Sequence, residues 1–127
     1  IVITNTPSGG GTPAPRAAFD FDGDGKSDMS AFRPSNGTWN LLRSRDGFTA
    51  TAFGLGTDKT VAADYDGDGK TDIAVFRSGS WYIMGSTAGY YGLAFGQAGD
   101  IPVAADFDGD GKADVAVFRP SNGAWYI

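Results

Sequence analysis

Three nine-residue stretches dictate the organisation of this chain: "DFDGDGKSD" (Asp20–Asp28), "DYDGDGKTD" (Asp64–Asp72) and "DFDGDGKAD" (Asp106–Asp114). They begin 44 and 42 residues apart, and the text around them repeats as well. "VAADYDGDGKTDIAVFR" (Val61–Arg77) and "VAADFDGDGKADVAVFR" (Val103–Arg119) match almost letter for letter, and "RAAFDFDGDGKSDMSAFR" (Arg16–Arg33) is a drifted copy. "RPSNGTW" (Arg33–Trp39) returns as "RPSNGAW" (Arg119–Trp125) and shortens to "RSGSW" (Arg77–Trp81). A period of about 40–45 residues with several strands per unit is the pattern of propeller blades.

One unit reads as four strands. "VAAD" is a short apolar strand feeding the loop, and "DIAVFR" follows with β-branched and aromatic residues in partial alternation. "PSNG" is a turn, "TWNLLR" or "WYIMG" a third strand, and "SRDG" or "STAG" a second turn. "FTATAFG" or "YYGLAFG" is a fourth strand ending in Phe53-Gly54 and Phe95-Gly96. The sequence thus predicts an all-β, propeller-type chain of three four-stranded antiparallel blades, at about 16–59, 60–101 and 102–127. The third unit stops in its third strand, and "IVIT" (Ile1–Thr4) is strand-like, so residues 1–4 are expected to complete the last blade. Residues 1–15 read as that strand plus a Gly/Pro-rich linker, "NTPSGGGTPAP" (Asn5–Pro15). Three blades are fewer than the four to eight that close a ring. Homo-oligomerisation, or a larger parent chain of which this is a piece, is expected to complete it.

The charge is concentrated in the loops. All 15 acidic residues are Asp, against ten basic ones, for a net charge of −5. Twelve aspartates and three lysines give the loops −9; seven basic residues against Asp46, Asp58 and Asp100 give the rest +4. One divalent cation per loop would bring the whole chain from −5 to +1. The acidity therefore argues for bound metal rather than a basic partner, and no nucleic-acid partner is expected.

A D-x-D-G-D-G-K-x-D turn supplies carboxylate oxygens at positions 1, 3, 5 and 9, and the carbonyl at position 7 is the natural fifth donor. The predicted ligands are Asp20, Asp22, Asp24, Lys26 (carbonyl) and Asp28; Asp64, Asp66, Asp68, Lys70 (carbonyl) and Asp72; and Asp106, Asp108, Asp110, Lys112 (carbonyl) and Asp114. Hard oxygens in this number suit Ca2+, one structural ion per repeat, better than Mg2+ with its strict octahedron. The glycines are expected where a Cβ would clash with the tightly wrapped chain. A helix-loop-helix hand is excluded, because Ala31, Val75 and Val117 stand where position 12 needs Glu. With no Cys, the cysteine-dependent aspartate repeats are excluded too.

Loop, flanking strands, period and Phe-Gly pairs together resemble the FG-GAP and VCBS repeat family, the calcium-loop blades of integrin-α-like β-propellers. The resemblance covers Arg16 to Ile127 and implies a propeller fold, calcium held by the loop aspartates, and a secreted or cell-surface location.

No catalysis is expected. The chain has no His, Cys or Glu, and Asp46, Asp58 and Asp100 sit in turn contexts where Asp is a turn former. No apolar run reaches the roughly 18 residues that span a membrane. Trp39, Trp81 and Trp125 recur once per unit, either packing between blades or offering a platform to a sugar ring. "GYYG" breaks the repeat, and its Tyr90 and Tyr91 should point to opposite faces. Arg33, Arg77 and Arg119 end each second strand and are expected to pair with a carboxylate or the backbone. Two functions follow: a non-catalytic adhesion, binding or self-assembly module working by strand exchange, with a protein or glycan ligand, or a lectin with sites at or between blades.

Overall fold

The computed structural model describes residues 18–127. These form ten strands and, among the described residues, no helix. The strands are β1 (Met29–Arg33), β2 (Thr38–Arg43), β3 (Gly47–Ala52), β4 (Lys59–Thr60), β5 (Ile73–Arg77), β6 (Ser80–Gly85), β7 (Gly89–Ala94), β8 (Ile101–Ala105), β9 (Asp114–Arg119) and β10 (Ala124–Tyr126). They build three antiparallel sheets with neighbours in chain order: β1-β2-β3, β4-β5-β6-β7 and β8-β9-β10.

The expected three four-stranded units thus become sheets of three, four and three strands. The third sheet ends with the chain at Ile127, short of a fourth strand. In the first unit the expected outer strand would fall at residues 16–19, but Arg16 and Ala17 lie outside the described residues, as do the expected strand Ile1–Thr4 and the linker, and Ala18 and Phe19 form a turn, Phe19 with φ 55°. The outer strand of the middle sheet also starts earlier than "VAAD" suggests. Asp58 closes a turn on the Leu55 carbonyl (3.0 Å), so pairing with β5 begins at once at Lys59. It continues through the Val61 amide on the Ala74 carbonyl (2.9 Å) and an Ala63–Asp72 bridge.

Each sheet is too thin to bury its own side chains, and the strand patterns show where they go. β2 and β6 alternate, with Trp39 and Leu41, and Trp81 and Ile83, buried. β5 is buried along Ile73–Phe76 because both of its faces are covered. Ile73 and Val75 join Phe21, Trp39 and Leu41 of the first unit in one core. Ala74 and Phe76 join Trp81, Ile83, Tyr65 and Val117 of the third unit in a second core. The middle sheet is the filling between its neighbours.

The Phe-Gly pair is the joint at which the chain leaves one sheet for the next. The Trp39 indole N–H donates to the Phe53 carbonyl (3.0 Å), and Trp81 to Phe95 (2.9 Å). The glycines that follow take φ 110° and 111°, left-handed backbone that a side chain rarely adopts. A Cβ on Gly54 would press on Val75 at 3.1 Å, and one on Gly96 on Val117 at 3.1 Å.

The arginines at the ends of β5 and β9 lock the same joints. Arg77 grips Asp58 through Nε–Oδ1 (2.6 Å) and Nη2–Oδ2 (2.7 Å), and Arg119 grips Asp100 likewise at 2.8 Å in both bonds. Each guanidinium also lies over a tyrosine ring, Arg77 on Tyr82 and Arg119 on Tyr126. Asp58 and Asp100 are turn formers as expected, since Asp58 accepts the Leu55 amide and Asp100 the Gln97 amide. They are carboxylate partners at the same time. Burial raises the Asp58 pKa, but Arg77 and the Leu55 amide outweigh it and hold the carboxyl below its usual range; Arg119 does the same for Asp100.

A depressed carboxyl contributes stability that is fully present above the unfolded pKa, about 4, and is lost as pH falls through the lower folded value. Arg77→Ala should therefore cost about 1–3 kcal/mol in urea denaturation at neutral pH. It should also flatten the loss of stability below about pH 4. A variant as stable as the parent at both pH values would show that the pair is ornamental.

Candidate metal centres

In each loop the aspartates at positions 1, 3, 5 and 9 converge. Asp20, Asp22, Asp24 and Asp28 each place one carboxylate oxygen within 4.8 Å of the others, as do Asp64, Asp66, Asp68 and Asp72, and Asp106, Asp108, Asp110 and Asp114. Oxygens held at about 2.3–2.6 Å from one cation span such distances.

Backbone amides arrange this convergence. Asp20 Oδ1 accepts the Gly23 amide (2.8 Å) and Oδ2 the Gly25 amide (2.9 Å), so the first aspartate curls the loop around itself. Asp64 does the same with Gly67 and Gly69, and Asp106 with Gly109 and Gly111. The Lys26, Lys70 and Lys112 amides each donate to the position-5 aspartate at 2.9 Å. The last aspartate accepts the position-2 amide: Phe21 to Asp28 (2.7 Å), Tyr65 to Asp72 and Phe107 to Asp114 (both 2.8 Å).

The glycines serve by conformation more than by crowding. Gly67 and Gly69 take φ 77° and 89°, yet a Cβ on Gly69 would meet nothing within 4 Å. A Cβ on Gly67 would touch the Lys112 side chain at 3.0 Å, and one on Gly23 the Lys70 side chain at 3.0 Å. The first and second loops thus lie under the lysine of the loop that follows. The Thr71 amide donates to the Asp20 carbonyl and the Ala113 amide to the Asp64 carbonyl, both at 2.8 Å, so the loops form a hydrogen-bonded row.

A second clamp comes from the far hairpin of the same sheet. The Ser44 amide donates to Asp28 (2.8 Å), its hydroxyl to Asp24 and Asp28, and the Arg45 and Asp46 amides to Asp22 (2.7 and 3.0 Å). In the second loop the Ser86 amide serves Asp72, its hydroxyl Asp68 and Asp72, and the Thr87 and Ala88 amides Asp66. The third loop has no such hairpin among the described residues, since its counterpart would follow Ile127.

The electrostatics follow the clamp. Burial raises the Asp22 pKa, but the Arg45, Asp46 and Asp24 amides outweigh it and lower the carboxyl to about 2. At the same position of the third loop, the Asp110 amide lowers Asp108. Burial and the Asp110 and Asp114 carboxylates outweigh that amide, and the net shift is upward. Buried Asp72 is also raised, first by burial and then by Asp66, against the opposing donors on Ser86. Burial and the neighbouring carboxylates thus act in the same direction on Asp72 and Asp108. Four hard oxygens per cluster, with no imidazole or thiolate in the chain, can hold a hard divalent cation.

The aromatic candidates do not share a surface. Trp39 and Trp81 are buried in the two cores with their indole N–H groups bonded, so their rings are closed to a ligand. Trp125 and Tyr90 are exposed, and Tyr91 points the other way, half-buried against the second core. Three sets of residues escaped the sequence reading. Ser44 and Ser86 were legible only as the shared serine of "SRDG" and "STAG". Arg77 and Arg119 pair with a carboxylate as expected, but which one, Asp58 or Asp100 at a 19-residue separation, was not legible. Phe21, Tyr65 and Phe107 fill position 2 of every loop, and the first two are buried between sheets. Ser86→Ala should lower stability by about 1 kcal/mol in urea denaturation. No change would mean that the hairpin hydroxyl does not hold the loop.

A sequence profile of the FG-GAP-like repeat matches residues 20–75 and again 64–117. Each match runs from the first aspartate of a loop to the valine of the next unit, Val75 or Val117, that packs against its Phe-Gly glycine. The matched unit is therefore a loop, its sheet and the joint to the following sheet. No curated protein and no solved structure matches the chain. With the profile covering 20–117 of 127 residues, the chain belongs to the FG-GAP-like repeat family.

Proposed function

We propose that this chain is a non-catalytic, extracellular repeat module in which three structural calcium ions, one per loop, stiffen successive propeller blades for adhesion, binding or self-assembly. The observation that carries it is the placement of three four-carboxylate clusters in a row of loops that hydrogen-bond to one another across the sheet joints. An ion in such a loop offsets the repulsion of its aspartates at the point where two sheets meet. The Lys26, Lys70 and Lys112 carbonyls would add a fifth donor to each. The ring is completed by further blades, from other copies or from the same parent chain.

The lectin reading keeps Tyr90 and Trp125 as exposed rings but loses Trp39 and Trp81 to the cores. A row of identical sugar platforms, one per blade, is thereby removed. Assembly is the better supported function.

Calcium saturating a site at 100 times its Kd stabilises by about 2.7 kcal/mol per site. At about 4–8 °C per kcal/mol for a domain near this size, excess EGTA should lower Tm by more than about 10 °C. An unchanged melting curve sinks the structural-calcium reading. Calorimetric titration should also resolve two tighter sites and a weaker third, because no hairpin among the described residues clamps the third loop. Three equivalent sites would show that the clamp does not tune affinity.

A further inference from the structure

The two cores between sheets repeat one contact, and the chain carries both halves of a third. In the first junction Phe21, Trp39 and Leu41 of one unit meet Ile73, Val75, Tyr82 and Met84 of the next. In the second, Tyr65, Trp81 and Ile83 meet Val115 and Val117. The residues at the first set of positions in the last unit are Phe107, Trp125 and Ile127, and all three are exposed. The contrast is sharpest at the tryptophan, which is 3% accessible at Trp39, 0% at Trp81 and 56% at Trp125. The residues at the second set of positions in the first unit are Met29, Ala31, Asn40 and Leu42; Met29, Ala31 and Leu42 are exposed, Met29 to 66%, and Asn40, in place of Tyr82, is half-buried.

The loop row is open in the same two directions. Lysine side chains of the following loop lie over Gly23 and Gly67, whereas a Cβ on Gly109 would meet nothing within 4 Å. At the other end of the row stands Lys26, the counterpart of those lysines, followed by Ser27, the counterpart of Thr71 and Ala113.

We infer that the face formed by Phe107, Trp125 and Ile127 docks the β1–β2 face, Met29, Ala31 and Leu42, of a second copy of this chain. The contact is head to tail, because the two halves lie on opposite sides of the molecule's row of sheets. It repeats the internal junctions: Lys26 of the second copy covers Gly109, and its Ser27 amide reaches the Asp106 carbonyl. This inference rests on the assembly reading above and specifies the surface; it needs no exchange of Ile1–Thr4. A heterologous contact of this kind closes into a ring or grows as a filament.

One feature of the internal junctions is missing from the new one. The residue 19 positions before Arg33 is Ala14, where Arg77 and Arg119 have Asp58 and Asp100. The copies should therefore associate reversibly.

The test is solution mass by light scattering in saturating calcium, over a hundredfold range of concentration. The parent chain should rise above monomer mass with concentration. Trp125→Lys and Met29→Lys each remove one half of the contact, and each alone should remain monomeric. Mixed in equal amounts, they retain one intact pair of faces and should give a dimer that grows no further. Tryptophan emission should shift to the blue as the parent associates, since Trp125 alone of the three starts exposed. A parent that stays monomeric throughout overturns the proposal. So does a mixture that behaves as its separate components, which would mark a contact between like faces. Circular dichroism and the calcium-dependent Tm of both variants establish that they fold. An unchanged Tm in EGTA would count against the calcium reading while leaving the mass result to judge the interface.

Discussion

A sheet of three or four short strands has two faces and can hide neither by itself. Every other feature of this chain answers that constraint. The middle sheet is covered on both sides, which is why Ile73–Phe76 is apolar without a break. Covering requires that successive sheets be brought face to face at a fixed distance and angle, and the joint does this with few parts. A tryptophan fixes the carbonyl before the crossing, a glycine permits the backbone to turn there, and an arginine ties the far side of the crossing to the aspartate that ends it.

The loops impose the same geometry from the other end of the sheet. Their aspartates are not simply a bag of charge waiting for a cation. One oxygen after another is already committed to an amide, and those amides come from the loop itself and from the hairpin of the same sheet. The backbone thus prepays much of the work of convergence, and what it leaves is repulsion among the inward oxygens. Asp22 and Asp108 shift in opposite directions, and among the described residues only Asp22 has hairpin amides upon it.

Much of this was legible in the residues. The period, the all-β class, the positions of the turns and the four aspartates of each cluster could be read directly, because they depend on local spacing. What escaped depends on pairing across the fold. Asp58 looks like a turn former because it is one, and its bond to Arg77 appears only when β5 folds back beside the crossing. The Ser86 hydroxyl is unremarkable in "STAG" until the hairpin tip is laid over the loop. Conversely, the glycines were credited with avoiding a clash, whereas at Gly69 space is open and the positive φ alone demands it. The tryptophans were ambiguous for a different reason: a residue repeated in every unit is equally suited to a seam or to a surface, and burial alone separates the two.

The row of loops, the first two each seated under the lysine of its successor, carries a consequence for how such a chain can change in length. A unit's two sides are complementary to each other, so a duplicated unit inserted anywhere in the row meets the neighbours it needs without any new residue. Nothing inside a unit records how many units there are. A whole repeat can therefore be added to or removed from the row without breaking the contacts of the junctions that remain.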